Sequence, residues 1–129
     1  MIKQQRKITE MEVAVIRAAL EKATIEPLED ETATVENLMV VSRCDCGCAT
    51  VDFQGPSLDE PSKPIADGIG VTPNGGDVGV IVWGRQGRIT GLEIYDLGAG
   101  EKDLLLPVPD SIKPWEQKFA DNTPLEPTR

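Results

Sequence analysis

The stretch "DVGVIVWGRQGRITGLEIYDLG", residues 77–98, constrains the fold more than any other part of the chain. Two runs rich in Val, Ile and aromatic residues flank Gln86-Gly87, the pattern of a β-hairpin. Both alternation classes carry apolar side chains, which places the two strands at the centre of a sheet. A two-residue loop sets Ile81, Trp83, Leu92 and Ile94 on one face, whereas a three-residue loop gathers Val78, Val80, Leu92 and Ile94.

Three further runs, "TVENLMVVSRC", "ATVDF" and "IADGIGVT", read as strands between Gly, Pro, Asn and Asp clusters, and "PNGGD" carries the Asn-Gly turn signal. Before them, "ITEMEVAVIRAALEKA" begins with Thr9 and, three residues on, Glu12, the spacing of a capping box; Ile8 and Val13 fit a hydrophobic staple. Val13, Ile16, Leu20 and Ala23 then recur at helical spacing over residues 10–23. The expected fold is α+β: an N-terminal amphipathic helix packed on a four- to five-stranded antiparallel sheet. One domain over residues 1–120 is expected, with 121–129 a frayed tail. Prolines 107, 109, 114, 124 and 127 exclude a long element near the C-terminus, and Leu104–Leu106 and Trp115 are expected to lie extended against the core.

Acidic residues outnumber basic ones 22 to 13, giving a net charge of -9. That balance repels a phosphate backbone and argues against nucleic-acid binding; it favours a basic protein as partner. Lys3, Arg6 and Lys7 read as a solvated terminus, and the acidic stretch 26–33 reads as a connector. No apolar run is long enough to span a bilayer and no signal-peptide pattern opens the chain, so a cytoplasmic location away from the membrane is expected.

The three cysteines lie together in "RCDCGCATVDF". A three-residue loop at Asp45-Cys46-Gly47 pairs Cys44 with Cys48, Val41 with Val51 and Met39 with Phe53, and sets both outer cysteines on the more polar face. Arg43 then points away from Cys44 and does not activate it. A disulfide across that pair would be strained. Cys44, Cys46 and Cys48 are candidate metal ligands, with Asp45 or Asp52 completing the set and zinc the candidate ion.

The chain has no histidine, which removes the Ser-His-Asp and Cys-His arrangements and the usual neutral-pH base. The glycine-rich stretches match no phosphate loop. Asp45, Asp52, Asp67 and Asp77 could support carboxylate chemistry only by converging in space, and no catalytic residue is assigned.

The segment "RCDCGCATVDF" followed by "GRITGLEIYDLG" resembles small uncharacterised bacterial proteins, a family of unknown function with a Cys-x-Cys-Gly-Cys-x-Thr/Ser hairpin. The opening "RKITEMEVAVIRAAL" resembles the N-terminal helix of related domains, some of them similar to immunity proteins of toxin systems. The acidic balance and the absence of a catalytic constellation point to a non-enzymatic interaction domain, and the immunity likeness implies an inhibitor of a basic partner. A metal-binding or thiol protein built on the cysteine cluster is the alternative.

Overall fold

The computed structural model describes residues 2–25, 35–44, 48–54, 61–85, 88–100 and 104–115. The helix α1, Glu10–Ala23, starts as its sequence dictates. The Thr9 hydroxyl accepts from the Glu12 backbone N–H at 3.1 Å, and the Glu12 carboxylate accepts from the Thr9 N–H at 2.9 Å, so two donors orphaned by helix geometry are satisfied reciprocally. Ile8 and Val13 both pack against the core, as a staple requires.

The buried face of α1 is Val15, Ile16, Ala19 and Ala23, with Val13 and Leu20 half-buried on its flanks. This is the expected stripe rotated by part of a turn. Glu12 is also buried, and Arg6 reaches it with two hydrogen bonds of 3.0 and 2.8 Å. Burial alone would raise the Glu12 pKa, but the bonds from Arg6 and Thr9 outweigh it and hold the carboxyl below its usual range.

Seven strands among the described residues form one sheet: β1 Ile2–Lys7, β2 Met39–Arg43, β3 Val51–Phe53, β4 Lys63–Val71, β5 Asp77–Arg85, β6 Arg88–Asp96 and β7 Lys113–Pro114. Their order is β1-β2-β3-β6-β5-β4-β7, and every neighbouring pair is antiparallel. The fold is α+β as expected, with two strands more than the expected maximum. Both additions are edges. β1 is "IKQQRK", whose charge and lack of alternation resemble a solvated end but suit an edge that must not aggregate. β7 is two residues long and contains a proline, which only an edge strand tolerates.

The central hairpin contains both of the registers open to its sequence. Arg85 pairs with Arg88, as a two-residue loop requires. The register then shifts by one, from Gly84↔Ile89 to Trp83↔Gly91, with Thr90 as the extra residue of the bulge. Beyond it Val82 faces Leu92 and Val80 faces Ile94, the pairing of the longer loop.

This shift decides the faces. Ala66, Val78, Val80, Val82, Leu92 and Ile94 are buried in one cluster with Val15, Ile16 and Ala19 of α1. Each fully buried Val, Leu or Ile contributes roughly 1.5–3 kcal/mol by leaving water. The opposite face carries Asp67, Ile81, Trp83, Glu93 and Tyr95, all half-buried, together with exposed Asp52.

Candidate functional site

The register brings the polar and aromatic side chains of the open face into rows. Asp67 pairs with Ile81 and Ile81 with Glu93, so the two acids occupy one row on either side of the central strand. In the next row Gly79 lies between Ile69 and Tyr95. A Cβ on Gly79 would fall 2.0 Å from Cζ of Tyr95, so this glycine is what lets the phenol ring lie across the strand. On the other side Gly91 lies between Trp83 and Asp52, and Asp52 accepts from the Ser42 hydroxyl at 3.1 Å.

Each acid of the Asp67–Glu93 row is held by an indole. Trp83 Nε1 donates to Glu93 Oε1 and Trp115 Nε1 donates to Asp67 Oδ1, both at 2.9 Å. Trp115 is brought there by β7, which pairs along the outer edge of β4 at Gly68↔Pro114 and Ile69↔Lys113. The chain leaving α1 uses the same edge: Thr24 bridges to Ala66, and the Ile25 N–H donates to the Ile65 carbonyl at 2.8 Å. Between these two segments and the sheet lies a cleft of ≈ 760 Å³, whose lining includes Lys22, Thr24, Ile25, Asp67, Tyr95 and Trp115.

The electrostatics of the cleft favour a positive guest. Partial burial raises the Asp67 pKa, the Trp115 hydrogen bond works against that rise, and the Glu93 charge adds to it. Burial also raises the Tyr95 pKa, reinforced by the charges of Asp67 and Glu93 and opposed by Trp115. Among the described residues the ion pairs are Arg6–Glu12 and Arg17–Glu36, and neither involves this face. Lys22 lines the cleft, but its ammonium is directed to the Asp110 carbonyl at 3.5 Å.

The cysteine segment is built differently from its expected register. Val40 pairs with Phe53, Ser42 with Asp52 and Arg43 with Val51, with a bulge after Val40. The Cys44 N–H donates to the Thr50 carbonyl at 3.1 Å, so Cys44 lies across from Thr50 and not from Cys48. Ala49 turns away to donate to Leu104 at 2.9 Å, and Cys48 and Ala49 pack against the main core. Thr50 provides the physical reason: its hydroxyl both accepts from Ile94 N at 2.9 Å and donates to Ile94 O at 3.2 Å, substituting for strand pairing to β6. Two attachments, to Ile94 and to Leu104, thus hold Thr50 and Ala49 in place of the expected register.

Cys44 and Cys48 are half-buried and neither is in a disulfide. Asp45 and Cys46 lie outside the described residues, as do the acidic stretch 26–33 and the tail 121–129. Among the described residues no group of three Cys, Asp or Glu side chains is placed to hold a metal ion. Of the aspartates considered from sequence, Asp67 sits in the cleft, Asp52 lies on the same face beside Gly91, and Asp77 is exposed at the start of β5.

Sequence reasoning did not single out Glu93 and Tyr95, and it read Trp83 and Trp115 only as packing residues. Part of the signal was available: Glu93 and Tyr95 alternate with Leu92 and Ile94, so they must share the face opposite the core. Nothing local joins Trp115 to Asp67, which lie 48 residues apart. Scans of this chain against protein-family models, curated proteins and solved structures find no match. Among the described residues no helix is long and apolar enough to cross a membrane.

Proposed function

We propose that this chain is a non-enzymatic interaction domain that binds a basic protein on the open face of its sheet, in the manner of an immunity protein that covers a basic toxin. One observation carries the reading: Asp67 and Glu93 stand in one cross-strand row, each fixed by an indole and neither ion-paired with a described residue. Carboxylates held without a countercharge raise the free energy of the unbound domain, and a cationic partner relieves it. The net charge of -9 extends the same preference over long range and speeds encounter with a basic surface.

The face also has the composition of a binding surface. Trp and Tyr are enriched at interfaces because they supply apolar area with a polar end, and here Trp83, Tyr95 and Trp115 are all half-buried and already oriented by hydrogen bonds or packing. Native mass spectrometry of the tagged chain purified from its source cells tests the reading. A basic protein carried by the wild type and lost from the Asp67→Asn/Glu93→Gln double variant is expected. A wild-type chain without a basic partner, or one whose partner is retained by the double variant, contradicts it.

A further inference from the structure

We propose that the cleft between the end of α1 and β7 is a recognition pocket for the guanidinium of an arginine side chain; the proposal rests on the basic-partner reading above and specifies which group that partner presents. Two independent features of the cleft favour a cation. The rings of Tyr95 and Trp115 line it, and aromatic faces attract cations. Asp67 supplies a carboxylate from the floor, with Glu93 beside it in the same row.

The arrangement of the oxygens selects guanidinium over ammonium. Asp67 uses Oδ1 for Trp115, and Glu93 uses Oε1 for Trp83. A carboxylate has two oxygens and about four acceptor positions, so each acid keeps an oxygen for a guest. The two acids lie two strand spacings apart, roughly 9.5 Å between backbones, with Ile81 between them. A compact ammonium can hydrogen-bond one of them. A flat fork with five donors can hydrogen-bond Asp67 while its plane stacks on an aromatic ring of the cleft, a pairing of contacts that a compact ammonium does not offer. At ≈ 760 Å³ the cleft has room for an arginine side chain together with flanking residues of a peptide segment.

The charged groups facing Asp67 are Glu93 and the ionisable Tyr95 from β6, and Lys22 from α1 at the cleft wall. The full chain is titrated with the blocked peptide Gly-Arg-Gly, followed by indole emission and by the indole N–H signals of Trp83 and Trp115. The lysine and citrulline counterparts are titrated in parallel. Saturable binding of the arginine peptide is expected, about tenfold tighter than the lysine peptide, with citrulline inert. Asp67→Asn is expected to weaken the arginine peptide about tenfold while leaving the melting temperature at or above that of the wild type. Equal binding of arginine and lysine peptides, no arginine binding, or full binding by Asp67→Asn overturns the pocket. If a basic partner is nonetheless captured and lost from the double variant, the pocket fails while the interaction domain stands. If no basic partner is captured either, both fail.

Discussion

The indole N–H of Trp115 donates to the carboxylate of Asp67 across 48 residues of sequence, at 2.9 Å. This bond joins the short edge strand β7 to the open face of β4, and it fixes one wall of the cleft to its floor. Because partial burial raises the Asp67 pKa, with Glu93 adding to the rise, the folded chain holds that proton more tightly than the unfolded chain. Stability therefore falls as pH rises from the unfolded value, about 3.9, through the raised folded one, and stays lowered above it. Asp67→Asn keeps an acceptor for Trp115 and removes the charge. The variant is expected to melt at or above the wild-type temperature at neutral pH, with the difference vanishing in acid below both pKa values. Thermal unfolding of the two proteins across that range checks this, and a variant clearly less stable at neutral pH would contradict it.

The same bond gives the acid a reporter. The indole N–H resonance of Trp115 is expected to titrate with a midpoint above about 3.9 and to be flat through that range in Asp67→Asn. Glu93→Gln is expected to lower the midpoint, because the Glu93 charge raises it. An NMR pH titration of the indole region measures all three.

Glu12 works in the opposite sense. Its carboxyl is buried but held below the usual range by Arg6 and Thr9, so its contribution to stability is complete above the unfolded value, about 4.3, and is lost as pH falls through the lowered folded one. Glu12→Gln is expected to cost about 1.5–3 kcal/mol at neutral pH, the scale of hydrogen bonds to a charged group. Urea unfolding at neutral pH and in acid should show that cost shrinking as Glu12 of the wild type is protonated.

Tyr95 occupies space that only glycine leaves open at position 79. Gly79→Ala forces the ring off the strand and is expected to destabilise by about 1–3 kcal/mol, the cost of overpacking. Adding Tyr95→Ala to that variant is expected to recover part of the loss, since the clash is between the two side chains. A double-mutant cycle by chemical denaturation measures the coupling.

How far the sequence revealed this molecule depended on whether the deciding contacts were local. The helix start was legible because Thr9 and Glu12 complete their capping box within four residues. The five strand runs from residue 34 to 98 were legible from apolar content and turns, and each contains an observed strand, β2 to β6. The edges were not, since β1 pairs through backbone groups that polar side chains do not advertise and β7 is two residues in a proline-rich stretch. The cysteine register failed for the same reason: Thr50 and Ala49 are committed to Ile94 and Leu104, more than forty residues away, and those bonds override the preference of the turn. The site was half legible. The hairpin places Glu93 and Tyr95 together on the face away from the core, but Asp67, Trp115 and the end of α1 meet them only through pairing along β4.

The most direct measurement of the central claim is a two-dimensional NMR titration of the whole chain with the basic partner it carries from its source cells, or with the blocked arginine peptide. The expected result is a shift of the Trp115 and Trp83 indole signals together with the backbone amides of Asp67, Glu93 and Tyr95, abolished in the Asp67→Asn/Glu93→Gln variant. Shifts confined to Cys44 and Cys48, or a spectrum unchanged at saturating ligand, would contradict a cation-binding face on the open side of the sheet.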